Sequence, residues 1–349
     1  MPPPPKLDRG ADGNDWEAYY DFGVDILRRN TSNADAAFYW ANRLNPTRAE
    51  PLYARWVAFW MLDISEWPDY LYDSPAVVSR PEIIASDSLR LRAWERNPLV
   101  NQALLLYLFE RISRRDPVSQ GWIAYANGFY PRALEEFGAA VTTYPEYPWI
   151  HYDVALVYTQ MGRYDSAAMQ IESLLAALRS TEKKQVVHLY ESKEMMEYAL
   201  GLLYAARGRL ADARQAQERA LEENLAFAPA HAALAQLAGA RGDTGTAVRE
   251  LALAVELAPG DGAMRYWYGN ALTQAQRPAE ALEQLTLALK LEPYFADVQF
   301  SLAAAYAARS DSAKAVAEYA EYVKHAPRSA SQRIDQARAA AAQLGSQTP

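Results

Sequence analysis

From Arg114 to Pro327, small and apolar residues return in the same order every 34 residues, and each step holds two helical stretches. One series runs through Gly121, Ala155, Gly201, Ala235, Gly269 and Ala303. A second runs through Ala133, Ala167, Ala213, Ala247, Ala281 and Ala315, and a third through Ala140, Leu174, Ala220, Ala254, Ala288 and Tyr322. All three keep one phase, broken only between Ala155 and Gly201, where the step is 46 and 12 residues are inserted. Small residues at fixed places predict close crossings, because two antiparallel helices approach only where their facing side chains are short. Gly128, Gly162, Gly208 and Gly242 fall just after the first helix of their steps, where a left-handed cap favours a residue without Cβ. Pro145, Pro259, Pro293 and Pro327 fall where the second helix must stop. The pattern predicts six regular helix pairs within residues 114–327.

The flanks are less regular. Residues 1–13 read as a Pro-rich disordered tail. Asn14, Trp16 and Glu17 make a capping-box arrangement that starts a helix to about Arg29. A second helix, Ala34 to Leu44, ends at Pro46, and a third, near Arg48 to Met61, carries Leu52, Trp56, Phe59 and Trp60. Ala34, Ala41 and Pro46, and later Ala93 and Pro98, keep the spacing of a degenerate pair, so residues 14–113 read as irregular N-terminal helical repeats. Residues 62–85 interrupt them with Trp67, Pro68, Pro75 and Pro81 and with the acidic Asp63, Glu66, Asp69 and Asp73. That stretch is read as an insertion packed along the edge by its aromatics, or as a lid over the groove. The insertion at 178–195 is read as lengthening the following first helix backwards. Residues 328–349 read as a capping helix, Ser331 to Leu344, and a tail.

The residues at these places resemble the tetratricopeptide repeat family. The resemblance rests on Gly121, Gly128, Tyr130, Ala133, Phe137, Ala140 and Pro145 in one step, and on Ala155, Tyr158, Gly162, Tyr164, Ala167 and Ile171 in the next. Four further units begin near Glu194, Ala228, Gly262 and Ala296. Gln276 and Ser310 depart from it at turn-glycine places, and Pro278 stands where an aromatic is usual. The resemblance implies an all-α, right-handed alpha-alpha superhelical solenoid with irregular N-terminal helices and a C-terminal capping helix. It also implies a non-enzymatic scaffold whose concave face, lined by the first helices, holds a peptide or partner protein.

Composition narrows this picture. A net charge of −8 and no Lys/Arg run argue against nucleic acid as partner, and the absence of cysteine excludes disulfides and thiolate chemistry. The chain shows no glycine-rich phosphate loop, no His-Glu-x-x-His and no Gly-x-Ser-x-Gly. His151 and His231 hold equivalent places, which points to packing between helices rather than a metal; no cofactor is expected. No apolar run is long enough to span a bilayer, so membrane insertion is not expected. The expected location is cytoplasmic, or periplasmic if a signal segment precedes Met1 in the natural protein.

Helical spacing puts Trp149 and Tyr152 on one face with Leu156 and Thr159, and Tyr266, Asn270, Thr273 and Gln274 on another. With Trp122, Tyr125, Tyr198, Gln236 and Phe300 they make an aromatic, neutral-polar set of candidate peptide-binding residues, nearly without cations. The first reading is a scaffold binding through this groove. The alternative is an accessory or assembly subunit of an enzyme or cell-envelope complex, docking through its Trp-rich N-terminal half.

Overall fold

The computed structural model describes residues 1–64, 116–183 and 192–346, and among these every regular element is a helix. Three helices come first: α1 (Trp16–Ile26), α2 (Thr31–Leu44) and α3 (Glu50–Ile64). Twelve more form six pairs: α4 (Pro117–Ala126) with α5 (Tyr130–Thr143), α6 (Ile150–Gln160) with α7 (Tyr164–Glu182), and α8 (Lys193–Ala206) with α9 (Leu210–Glu223). The pairs continue as α10 (Ala228–Ala240) with α11 (Thr244–Leu257), α12 (Gly262–Gln274) with α13 (Pro278–Leu291), and α14 (Ala296–Ala308) with α15 (Ser312–His325). A last helix, α16 (Ser331–Gly345), packs on α15. The expected loop at 62–85 and the second degenerate pair around Ala93 lie almost wholly outside the described residues.

The chain folds as two compact units. The C-terminal unit comprises Met1–Gly23, Ala36–Arg48 and Ala226–Pro349, and the central unit comprises Val24–Asp35 and Ala49–Leu225.

Close crossings hold the pairs together. A Cβ at Gly121 would lie 2.6 Å from the Phe137 ring, and one at Gly269 would lie 2.5 Å from Leu285 Cγ. One at Gly201 would run into the buried Gln217 amide, whose Nε2 donates to the Tyr198 carbonyl at 3.1 Å. Ala133, Ala140, Ala213, Ala281 and Ala315, at the small-residue places of the second helices, are fully buried. The helix ends are also built locally. Asp116, Asp243, Asp261 and Asp311 each accept a hydrogen bond from the backbone amide three residues on, satisfying a donor the helix leaves open. Pro278 takes one of the first places of α13, where its missing N–H costs nothing.

Within pairs, the turns from first to second helix carry a residue in the left-handed region. Gly128, Gly162, Gly208 and Gly242 adopt φ of +74°, +68°, +72° and +76°. Gln276 and Ser310 adopt it as well, at 60° and 62°, so the departures from glycine leave the turn geometry unchanged and place a Cβ in a disfavoured conformation.

In the central unit the inserted residues extend the second helix of the pair before them. α7 has 19 residues against 14 in α5 and α9, while α8 begins only at Lys193. The lengthened element is therefore α7, not the following first helix. Its added turns bring Arg179 and Glu182 to a charged network with α8 and α9. Glu197, fully buried, accepts from Arg179 at 2.8 Å and from Arg219 at 2.9 Å. Arg179 also reaches Glu223 at 3.1 Å, and Lys193 holds Glu182 at 2.6 Å and Glu223 at 2.9 Å. Among the described residues three cations thus meet three carboxylates, which offsets the cost of burying Glu197.

In the C-terminal unit the N-terminal segment lies against the turns between pairs. Trp40 packs edge-on against Tyr294 at 5.1 Å and donates from Nε1 to the Pro2 carbonyl at 3.0 Å. Arg43 reaches Glu292 at 2.6 Å and the Leu291 carbonyl at 3.2 Å. Further along, the Arg328 amide donates to Asp12 at 2.6 Å, and its guanidinium donates to the Gly10 carbonyl at 2.9 Å. Residues 1–13, read from the sequence as a disordered tail, thus include partners of both turns.

Candidate functional site

The repeat register separates the candidate residues into two kinds. Tyr152, Tyr198, Tyr266 and Phe300 occupy one place in the repeat, and all but Phe300 are core, with relative exposures of 4%, 6% and 9%. Tyr125, at 4%, is core as well. These four tyrosines, candidates by their helical face, are thus buried in the free chain. Their side chains fill the space beside the crossings, as when Tyr266 meets Phe295 edge-on at 4.9 Å. Trp149 is the cap preceding α6, with helical backbone angles; half-buried, it leans on Tyr152 at 6.3 Å.

A second repeat place runs through Trp122, Leu156, Leu202, Gln236 and Asn270, four residues on from the buried one. Four residues is about one helical turn, so the place lies on the same side of the first helix, displaced toward its outer edge. In the central unit it is apolar: Trp122 is half-buried against Phe137, Leu156 is 3% exposed and Leu202 is half-buried. In the C-terminal unit it is polar, with Gln236 exposed and Asn270 half-buried, beside half-buried Thr273 and exposed Gln274. Thr159 and Thr273 each donate to the carbonyl four residues back, at 2.8 and 2.9 Å, so their hydroxyl protons are used inside their own helices.

In the central unit the structure brings Tyr152, Leu156, Thr159 and Leu202 around one apolar cleft, completed by Ala155, Ile171, Ala199 and Leu203. Its free volume is about 20 Å³, the room of one water, so it fits the tip of an aliphatic side chain rather than a cofactor. No charged residue lines it.

Phe300 belongs to a different setting, one the sequence reading missed. Arg333 of α16 stacks its guanidinium 4.4 Å above the Phe300 ring and pairs with Asp297 at 3.2 Å. Arg333 continues a repeat place that includes His151, Glu197, His231, Arg265 and Gln299, so the register carried into the capping helix was the available signal. Elsewhere that place makes polar rungs between paired helices. His151 Nδ1 lies 2.7 Å from Gln170 Oε1, His231 Nδ1 lies 2.8 Å from Glu250 Oε2, and Arg265 donates to Gln284 at 2.8 Å. The two histidines are inter-helix packing, as their equivalent places predicted.

Three described tryptophans of the N-terminal half have ring partners of their own: Trp16 with Tyr20, Trp40 with Tyr294, and Trp56 stacked on Tyr53 at 6.0 Å. No described helix is long and apolar enough to cross a membrane.

A sequence profile of the tetratricopeptide repeat matches residues 118–183 and 232–295. Among solved structures, YrrB, described as a tetratricopeptide repeat protein with an unusual peptide-binding site, is 20% identical. The match covers 56% of this chain and 94% of that one, with a TM-score of 0.46. The C-terminal part of a repeat-containing protein from Cytophaga hutchinsonii is 18% identical over 59% of this chain and 77% of its own, with a TM-score of 0.49. MamA is 17% identical over 50% and 94%, with a TM-score of 0.42. No curated protein matches the chain.

Proposed function

We propose, from the tetratricopeptide repeats matched at residues 118–183 and 232–295, that this chain is a protein-interaction scaffold whose first-helix faces hold a peptide segment of a partner. The observation that carries this reading is the apolar cleft at Leu156 and Leu202. The cleft is neutral and sized for one aliphatic side chain, which favours an extended segment presenting such a side chain over an anionic chain end. The Gln236, Asn270 and Gln274 face of the C-terminal unit offers side-chain amides, able to pair with the backbone of a second segment.

The test is selection from a random peptide library by the full chain and by a Leu202→Asp variant, which alters the half-buried rim of the cleft and spares the core residue Leu156. Peptides enriched by the unaltered chain should share an aliphatic residue and should bind the variant about tenfold or more weakly, since a carboxylate in an apolar seat has no partner. Binding should change little with salt, because the cleft holds no charge to screen. Enrichment of acidic or basic peptides whose binding survives Leu202→Asp would reject the cleft as the seat. Tyr266→Ala is not a suitable binding test, because it removes a core ring.

A further inference from the structure

We propose that the end of the C-terminal unit carries an arginine-binding box, formed by Phe300, Tyr322, Tyr266 and Asp297, which Arg333 fills in cis and which an arginine of a partner protein enters when α16 lifts. The box lies outside the apolar cleft of the central unit, and it stands whether or not that cleft holds a peptide.

The geometry is that of guanidinium recognition. The Arg333 guanidinium carbon lies 4.4 Å from the centre of the Phe300 ring and 5.9 Å from that of Tyr322, while its NH1 meets Asp297 Oδ2 at 3.2 Å. A flat cation laid on one ring, beside another, with a carboxylate at its edge suits arginine. A lysine ammonium keeps the charge but loses the stacking and the fork of donors. Burial raises the Asp297 pKa and Arg333 draws it back down, so the carboxylate stays charged best with a cation in the box. Phe295 and Tyr319 wall the aromatic side, edge-on to Tyr266 and Phe300 at 4.9 and 5.4 Å.

Two further observations point to a ligand in trans. The Tyr322 hydroxyl is buried without a hydrogen-bond partner among the described residues, and its pKa is pushed up to about 12 by burial and by Asp297. Arg333 leaves that oxygen unserved, whereas an arginine on a free segment is able to offer it one of its remaining donors. In addition, α16 is lightly held. It buries only Ala337 completely, with Ile334, Ala341 and Leu344 half-buried, and the Arg333 side chain stays 37% exposed. A cis arginine acts at an effective concentration in the millimolar range, so it masks the box against a dilute competitor without closing it permanently. The net charge of −8 complements a basic partner.

The experiment uses the full chain, wild type and Arg333→Ala, with N-acetyl-arginine amide and N-acetyl-lysine amide as probes at matched ionic strength. At about 20 mM the arginine probe should raise the Tm of Arg333→Ala by about 3 °C, while the lysine probe leaves it unchanged. Wild type should respond less than the variant, and Arg333→Ala/Asp297→Asn should not respond. Arg333→Gln, which keeps the stem over Phe300, provides a second vacated box if the alanine variant folds poorly. Raising the arginine probe tenfold on wild type should speed hydrogen exchange in α16. Equal effects of the two probes, an unaltered response after Asp297→Asn, or α16 protection indifferent to arginine would overturn the proposal.

Discussion

The central and C-terminal units are built from the same helix pair, yet they keep their register by different means. From Ala235 onward the step never changes, and alanines at Ala247, Ala254, Ala281 and Ala288 let each pair repeat the last beside single polar rungs such as His231 with Glu250 and Arg265 with Gln284. Where the step lengthens, between Ala155 and Gly201, the central unit adds a buried carboxylate and the cations to balance it. Apolar packing alone is tolerant of small shifts, whereas ion pairs with fixed donor geometry are not. A break in the repeat therefore recruits a charged network where the unbroken array keeps single polar rungs.

The sharpest way to break that comparison is Glu197→Ala. It leaves Arg179 and Arg219 facing a void, and because both are about a third exposed the loss should fall near the low end for a broken buried pair, about 3 kcal/mol. Hydrogen exchange should show the loss in α7, α8 and α9; protection unchanged there would mean the network is ornamental to the register. Gly201→Ala comes next, at about 2 kcal/mol, because its Cβ forces the Gln217 amide off the Tyr198 carbonyl. Adding Gln217→Ala should recover part of that loss, and an additive double mutant would place the strain elsewhere. The smallest effect is a gain: Gln276→Gly should stabilise the C-terminal unit by up to about 1 kcal/mol, by relieving a Cβ held at positive φ. A drop in Tm would show that the Gln276 side chain makes a contact worth more than the strain.

The periodic features were legible because each has one physical cause. The crossings at Gly121, Gly201 and Gly269, the left-handed turns and the proline stops all follow from sterics within a few residues of the chain. The binding faces were only half legible. Helical spacing put Tyr266 and Asn270 on one side of α12, but one turn of helix separates a ring in the core from an amide at its edge, and only the second helix and its neighbour decide which is covered. Aligning Tyr152, Tyr198, Tyr266 and Phe300 as one place would have exposed the difference, since a large ring kept at the same place in pair after pair suits a packing position. The Arg333 box joins α12, α14, α15 and α16, and local spacing carries no information about such meetings. The growth of α7 instead of α8 was hidden for the same reason: both directions extend a helix, and only the ion pairs to α9 distinguish them.

The seat of the N-terminal segment on the turns at Leu291–Tyr294 and Arg328–Ser329 bears on how the chain comes to be folded. Helix pairs fold from contacts a few tens of residues apart, which makes them fast and able to form one after another as the chain is made. Arg43 and the Leu291 carbonyl are 248 residues apart, and Arg328 and the Gly10 carbonyl are 318 apart. During synthesis, Trp40 and Arg43 therefore emerge long before their partners, and Trp40 waits for Tyr294 to leave the ribosome. A core assembled from short-range parts is thus joined by long-range contacts, and the slowest folding phase should depend on residues on both sides of them, Trp40 and Tyr294 among them.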